Sequence, residues 1–213
     1  MLDRFLALFF PPKCPYCKKV IAFGESECEV CGKELPDFAR SAKIPSGEIC
    51  ISPFVYDSLV RSAIINYKFY GQKYSADSFS KALANTVKSE YAGIDFDTVT
   101  AVPLSKQRLR QRGYNQSEIV AEKAAKILEI PYERLVKKIK NNREQHELSI
   151  EERKVNIKNV YALEDKISVS RKTILLIDDV MTTGYTLAEC CRVLKDGGAS
   201  AIYCAAIAVK SNS

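Results

Sequence analysis

Two acids and a threonine-rich loop follow a buried strand and carry the most specific chemistry in the sequence. Residues 173–177 are a continuous run of Thr, Ile and Leu, which is typical of a strand buried on both faces. The polar residues that follow it, up to the start of a helix predicted over 186–194, are Asp178, Asp179, Thr182, Thr183, Gly184 and Thr186. Ligands of open α/β sheets lie outside the carboxyl ends of strands, so a ligand site is expected here.

The two halves of this segment suit two parts of one ligand. The loop offers backbone N–H groups and threonine hydroxyls at a helix N-terminus, where the dipole favours a phosphate, and Gly184 permits a close approach of the backbone. Adjacent carboxylates instead accept hydrogen bonds from vicinal hydroxyls, or hold a bridging Mg²⁺. Together they predict a ribose 5-phosphate site. The alternative is structural, with the acids capping the loop and Thr-Thr-Gly forming an ordinary turn.

Four of the eight cysteines follow the pattern C-x2-C-x10-C-x2-C, namely Cys14, Cys17, Cys28 and Cys31. Each pair presents two sulfurs to one tetrahedral ion, and Gly32 after the second pair would let the backbone turn back. Residues 1–37 are too few for a core of their own, so metal binding would supply most of their folding free energy, on the order of 10 kcal/mol. We predict a structural zinc site without catalysis, because four thiolates leave no open position. Two disulfides are the alternative, which a cytoplasmic setting disfavours.

Composition bounds the class of protein. The chain has 213 residues, of which 46% are hydrophobic and 27% charged, and this balance excludes disorder, collagen and low complexity. No window is apolar enough to span a membrane, and residues 1–10 are interpreted as a short docking helix rather than a signal peptide. A cytoplasmic protein is therefore expected. The formal charge of +6 permits a phosphate-bearing partner without demanding nucleic acid.

Strands and helices alternate along most of the chain. Strands are predicted over 49–56, 98–102, 173–177 and 199–209, and helices over 58–70, 75–91, 116–128 and 186–194. This alternation predicts an α/β protein with a parallel sheet. The predicted organisation is a short N-terminal helix and four-cysteine zinc module in 1–37, a linker in 38–48, and one domain in 49–213.

The acid–threonine segment resembles the phosphoribosyltransferase fingerprint of four apolar residues, two acids, two apolar residues and Thr-Thr-Gly-x-Thr. The resemblance implies a Rossmann-like fold of the type I phosphoribosyltransferase kind for residues 49–213. It also implies binding of phosphoribosyl pyrophosphate (PRPP) with Mg²⁺. Asp178 and Asp179 would take the ribose hydroxyls, and residues 182–186 the 5′-phosphate.

A longer series of motifs covers nearly the whole chain and resembles the ComF family, which is linked in bacteria to DNA uptake during natural transformation. Tyr114, Asn142 and Tyr185 depart from the usual residues of that family. The motifs occur in the order four-cysteine module, Lys68-Phe69-Tyr70-Gly71, Val102-Pro103-Leu104, Arg108-x3-Arg112-Gly113-Tyr114-Asn115-Gln116, Gln145-x2-Leu148-x4-Arg153-x2-Asn156 and the fingerprint.

Basic residues precede the helix predicted over 116–128. A loop at this strand end occupies the pyrophosphate position in such folds, and Arg pairs bidentately with phosphate oxygens. The alternative is a solvated charged face. The run comprises Lys106, Arg108, Arg110 and Arg112. The polar stretch 140–159, which contains His146 and Arg153, is either a linker or a hood that closes over PRPP.

Two functions follow from the motifs. One is a ComF-like protein that binds PRPP and supports DNA uptake, with single-stranded DNA or competence proteins as partners. The aromatic residues around Lys68 would then stack on bases, or else pack on the sheet. The alternative is an active phosphoribosyltransferase, with pyrophosphate leaving toward the arginine loop and an unspecified acceptor. The predicted PRPP-binding residues are Ser105, Arg108, Arg112, Arg153, Asp178, Asp179, Thr182, Thr183, Gly184 and Thr186.

Overall fold

The computed structural model of the chain describes residues 11–22, 24–35, 39–69, 74–140 and 159–210. Its helices are α1 (Glu29–Glu34), α2 (Ser58–Phe69), α3 (Ser75–Glu90), α4 (Lys106–Arg112), α5 (Gln116–Leu128) and α6 (Tyr185–Asp196). Its strands are β1 (Arg40–Lys43), β2 (Ile49–Ser52), β3 (Phe54–Val55), β4 (Thr98–Ala101), β5 (Val136–Lys138), β6 (Tyr161–Leu163), β7 (Thr173–Met181) and β8 (Ala201–Val209). The docking helix predicted at 1–10, and His146 and Arg153 of the polar stretch, lie outside the described residues.

One central sheet organises the chain. Its strand order is β1-β2-β8-β7-β4, and β3 also pairs with β8. Every pairing in this sheet is parallel except that of β1 with β2. The predicted α/β architecture is therefore confirmed, with one antiparallel edge strand added to the parallel sheet.

The segment predicted as a linker, 38–48, contains this edge strand. Residues 40–43 pair with residues 49–52 from Arg40↔Ser52 to Lys43↔Ile49. The strand was not predicted because the sequence of β1, Arg-Ser-Ala-Lys, has no apolar alternation, and its exposure alternates only between half-buried and exposed. Its pairing with β2 and the turn that joins the two strands hold it in the sheet.

Helices cover both faces of the sheet. Helices α2, α3 and α5 pack on one face, where Val99, Leu175 and Ile177 point. Helix α6 and the antiparallel pair of β5 and β6 pack on the other face, where Ile174 and Leu176 point. Helix α5, which follows β4 and α4, and helix α6, which follows β7, lie on opposite faces of the sheet. A crevice therefore forms at the carboxyl ends of the neighbouring strands β4 and β7. In the described part of the chain, no helix is long and apolar enough to cross a membrane.

Candidate functional site

The acid pair lies at the crevice between β4 and β7. Strand β7 continues to Met181, so Asp178 and Asp179 are part of the strand and do not follow its end. On one side β8 pairs with β7 up to Met181. On the other side the pairing with β4 stops at Ala101, opposite Ile177. The two acids are therefore the first residues of β7 past the end of β4.

Side chains from two helices hold the acids. The Lys68 ammonium lies 2.9 Å from Asp179 Oδ1, and Gln116 Nε2 donates to Asp179 Oδ2 at 3.1 Å. Ser117 Oγ donates to Asp178 Oδ1 at 3.1 Å, and the Asp179 backbone N–H donates to the same oxygen at 2.8 Å. Burial, followed by the charge of Asp179, raises the pKa of Asp178 to about 7. Helices α2 and α5 thus fix both carboxylates.

The threonine loop and the start of α6 border a pocket. The predicted residues that line it are Asp178, Thr182, Thr183, Gly184 and Thr186. The loop leads into α6, whose first backbone N–H groups are those an anion would contact. The structure therefore brings one acid and the four predicted loop residues to one pocket.

Gly184 is required here for a reason that the sequence did not show. Its φ is +73°, and a Cβ atom at this position would lie 2.9 Å from Ile44 Cγ2 and 3.0 Å from Pro45 Cδ. Ile44 and Pro45 belong to the turn between β1 and β2. The threonine loop thus packs against the segment predicted as a linker, and only glycine meets both the conformation and the space.

Residues 112–116 connect helix α4, which carries the basic residues, to the acid pair. Gly113 ends α4 in the left-handed conformation, with φ +76°. The Tyr114 hydroxyl donates to the Tyr67 carbonyl, and Asn115 Nδ2 donates to the Val102 carbonyl at 3.1 Å. Gln116 then begins α5 and reaches Asp179. This motif therefore sets the position of α5 relative to the end of β4, and so the position of the acids.

The predicted pyrophosphate residues lie on α4, a short helix after β4. Ser105 is its N-cap, and its Oγ accepts from the Arg108 backbone N–H at 3.2 Å. Arg108 is half-buried, and its charge contributes to lowering the pKa of Lys138 to about 8, after burial as the main cause. The Arg112 guanidinium lies 4.6 Å from the centre of the Phe69 ring. The roles of Ser105, Arg108 and Arg112 toward PRPP stay predictions.

Two site residues were not predicted. Lys68 and Gln116 contact Asp179, but the sequence patterns assigned neither residue to the ligand site. The aromatic neighbours of Lys68 separate in the structure: Tyr67 is buried and donates to the Gln116 carbonyl at 2.9 Å, whereas Phe69 is 59% exposed. The available signal in the sequence was a lysine directly before an aromatic residue at the end of a predicted helix. The three-dimensional contact with the acids has no counterpart in the sequence.

The four-cysteine cluster lies apart from this pocket, near the amino terminus. The Sγ atoms of Cys14, Cys17, Cys28 and Cys31 all lie within 4.8 Å of one another. The edges of a tetrahedral site with Zn–S bonds near 2.3 Å are about 3.8 Å long, so these free thiols are compatible with zinc. The left-handed residue of the first turn is Lys18, with φ +66°. The turn expected at Gly32 does not form, because Gly32 lies inside α1.

Similarity to known proteins agrees with this geometry. Residues 115–213 match the model of the phosphoribosyl transferase domain. Over 89% of its length, the chain is 29% identical to the DNA utilization protein YhgH of Escherichia coli, of which it spans 86%. It is also 26% identical to Competence protein F of Haemophilus influenzae over 90% of its length, spanning 82% of that protein. Competence protein ComFC of Bacillus subtilis is 28% identical over 70% of the chain, which spans 59% of that relative. These relatives and the domain match support a ComF family protein.

The fold of this ComF protein is the type I phosphoribosyltransferase fold, with a cysteine cluster near the N-terminus. Among solved structures, that of the allosteric regulatory enzyme of purine biosynthesis matches 68% of the chain at 19% identity, with a TM-score of 0.45. The chain spans 30% of the length of that enzyme. The assignment depends on the domain match and on the position of the acids at the crevice of the sheet.

Proposed function

We propose that this ComF protein binds PRPP across the carboxyl end of its sheet and acts in the uptake and use of DNA in the cytoplasm. The observation that supports PRPP as the ligand is that a fixed acid pair and a threonine loop lie at the same crevice. Ribose hydroxyls would donate to Asp178 and Asp179, and the 5′-phosphate would accept from the loop at the start of α6.

The surroundings of Asp179 favour hydroxyl donors over a directly bound metal ion. An ammonium group already lies 2.9 Å from Asp179 Oδ1, and a Mg²⁺ ion on the same carboxylate would meet this positive charge. Each Asp179 oxygen has one described partner and keeps a second lone pair for a hydroxyl. We therefore expect Mg²⁺ to accompany the diphosphate of PRPP, where it would neutralise charge, and not to bridge the acid pair.

The diphosphate would lie toward α4. Its cations, Arg108 and Arg112 among them, follow the strand next to the acid pair, and the charge of two arginines stabilises a leaving pyrophosphate if the bond at C1 breaks. No described side chain is needed as a nucleophile for that reaction, because the sugar itself carries the developing charge. Transfer of the phosphoribosyl group to an acceptor is therefore the second candidate function.

The role in DNA handling is supported by the relatives. The E. coli protein is named for DNA utilization and the H. influenzae and B. subtilis proteins for competence. PRPP would then be a ligand or signal of a competence protein, with single-stranded DNA or a competence protein as partner. The four-cysteine cluster would hold a structural zinc ion in the same chain.

Calorimetry with PRPP and Mg²⁺ tests the site. Asp178→Ala with Asp179→Ala should lower the affinity about 100-fold or more, because two carboxylate acceptors of the ribose are lost. The matched control is another adjacent acid pair, Glu164→Ala with Asp165→Ala, which should bind like the wild type. Unchanged affinity in the first variant, with its circular dichroism spectrum intact, would refute the site.

A second measurement separates the two functions. Pyrophosphate release is followed with PRPP, Mg²⁺ and candidate acceptors, while single-stranded DNA is titrated at two salt concentrations. Turnover without DNA affinity supports the transferase. Salt-sensitive DNA binding without turnover supports the competence role.

A further inference from the structure

The end of helix α2 forms a third wall of the site, beside the acid pair and the basic helix α4. Its last two residues reach different parts of the site: Lys68 contacts Asp179, and the Phe69 ring lies against the Arg112 guanidinium. None of the predicted ligand residues comes from this helix. The last turn of α2 thus connects the ribose side of the crevice to the pyrophosphate side.

We infer that Lys68 is a positioning residue of the ribose subsite, which holds the Asp179 carboxylate in the orientation that accepts the sugar hydroxyls. The inference rests on the proposed function, since it concerns the same ligand. Lys68 and Gln116 each hold one oxygen of Asp179, at 2.9 and 3.1 Å. With both oxygens held, the plane of the carboxylate is fixed before a ligand arrives.

The charge of Lys68 is needed for a second reason. Asp178 and Asp179 are adjacent acids in a crevice, and carboxylates that leave water require a countercharge or a full set of donors. Among the described residues, Lys68 is the only cation that forms an ion pair with either acid, and it pairs with Asp179. Both partners are mostly buried, with 16% of the Lys68 side chain and 14% of the Asp179 side chain exposed.

Other lysine–aspartate pairs of this chain are different. In the pair of Lys137 with Asp165 the acid is 86% exposed, and in that of Lys123 with Asp77 it is 71% exposed. Exposed pairs of this kind contribute about 0–1 kcal/mol, because water screens them. The Lys68–Asp179 pair is therefore built into the site and not part of the solvated surface.

The position of Lys68 makes its effect selective. It contacts the acid that is expected to bind the ribose, and it does not line the described pocket at the threonine loop. Loss of Lys68 should therefore weaken ligands that contain the ribose, and leave a bare phosphate unaffected. A merely structural role for Lys68 would weaken both.

The experiment measures the affinities of PRPP with Mg²⁺, ribose 5-phosphate and inorganic phosphate by calorimetry or NMR titration. Lys68→Met should weaken PRPP and ribose 5-phosphate about 10-fold or more, and change phosphate binding less than about 2-fold. Lys68→Arg should restore most of the affinity, since it keeps the charge. Lys123→Met, which removes an exposed pair, should match the wild type. If Lys68→Met does not fold, Lys68→Gln removes the charge while keeping a donor, and the same differences are expected.

The outcomes separate the inference from the proposed function. Equal binding of the ribose ligands by wild type and Lys68→Met would overturn the role of Lys68 and leave the PRPP site intact. Equal loss of all three ligands in Lys68→Met would also overturn it, because the effect would then be general. A wild-type protein that binds none of the three would overturn the proposed function, and the positioning role with it.

Discussion

Asp178 combines its proposed binding role with a cost to stability. It lies at the carboxyl edge of the sheet, is buried, and receives hydrogen bonds from Ser117 Oγ and from the Asp179 backbone. These donors favour its ionised form, but burial and the charge of Asp179 outweigh them and raise its pKa to about 7. The folded protein therefore keeps a proton that the unfolded chain loses near pH 4.

The sign of the resulting pH dependence is fixed. Between about pH 4 and pH 7 the folded state binds more protons than the unfolded state, so the free energy of unfolding contributed by Asp178 falls as the pH rises. Asp178→Asn should therefore stabilise the protein at pH 8 by up to roughly 4 kcal/mol, at about 1.4 kcal/mol for each pKa unit, and change it little at pH 4. Its amide oxygen still accepts from Ser117. Urea unfolding at both pH values measures the difference.

The exposed acid Asp165 provides the control for this prediction. Asp165→Asn should change the free energy of unfolding by less than about 1 kcal/mol, because water screens its exposed ion pair with Lys137. An Asp178→Asn variant that is no more stable than the wild type at pH 8 would contradict the assigned pKa. The same variant should also bind PRPP more weakly, so that stability and binding change in opposite directions.

The acids could be predicted from the sequence, but their neighbours could not. Asp178 and Asp179 stand in a local pattern of strand, acids, loop and helix, which one stretch of chain contains completely. The ion pair of Asp179 with Lys68 joins two distant parts of the chain and leaves no periodicity in either. Only the packing of α2 and α5 beside β7 brings the partners together.

At the scale of elements, the β1–β2 turn supports the threonine loop. The turn is closed by hydrogen bonds from the Ile44 backbone N–H to the Glu48 carbonyl and from the Gly47 N–H to the Ile44 carbonyl, both at 2.9 Å. Ile44 is buried, and its side chain would meet any Cβ atom placed on Gly184. The turn after an edge strand without apolar alternation thus packs against the threonine loop.

Gly184→Ala should therefore be more damaging than an alanine at another left-handed glycine. Gly93 has φ +80° and no atom within 4 Å of its Cβ position, so Gly93→Ala should cost only the conformational strain, about 1 kcal/mol. Gly184→Ala adds the contact with Ile44 at 2.9 Å and should cost at least about 2 kcal/mol in total. Denaturant unfolding of the two variants compares their losses in free energy of unfolding. Equal losses would show that the β1–β2 turn moves away from the new methyl group at no free-energy cost.

The elements with strong apolar periodicity were predicted closely. Helix α5 has the predicted bounds, Gln116–Leu128, because its buried residues recur with the helical period. Strand β7 was predicted to end at Ile177 and continues to Met181, since pairing with β8 keeps the polar residues Asp178 and Asp179 in the ladder. Strands β5 and β6 form an antiparallel pair with three residues in each strand. Their pairing depends on tertiary packing, which no local sequence pattern encodes.

At the scale of the whole molecule, the cysteine module shares the core of the main domain. Cys14 is fully buried, and the Tyr16 ring lies 6.2 Å from the Phe54 ring and 6.4 Å from the Phe79 ring. The Ser78 hydroxyl donates to the Ser26 carbonyl. The predicted linker, residues 38–48, therefore separates segments of sequence whose side chains pack together.

Removal of zinc should consequently lower the stability of the whole chain. Four thiolates without their ion repel one another or take up protons, so the module loses its shape and its contacts with Phe54 and Phe79. We expect one thermal transition that moves down by several degrees on treatment with a chelator. Cys17→Ser should reproduce the shift and abolish the response to chelator, because Cys17 is exposed and its loss removes a ligand without opening the core.

Val20→Ser changes an exposed apolar residue of the same module and should leave both the zinc content and the transition unchanged. Metal analysis of the purified proteins accompanies the melting curves, with one zinc ion expected per wild-type chain. Two separate transitions, the upper one indifferent to chelator, would instead mean that the module unfolds alone. In that case the Tyr16 contacts would not join the two folding units, and the metal would stabilise only the segment that binds it.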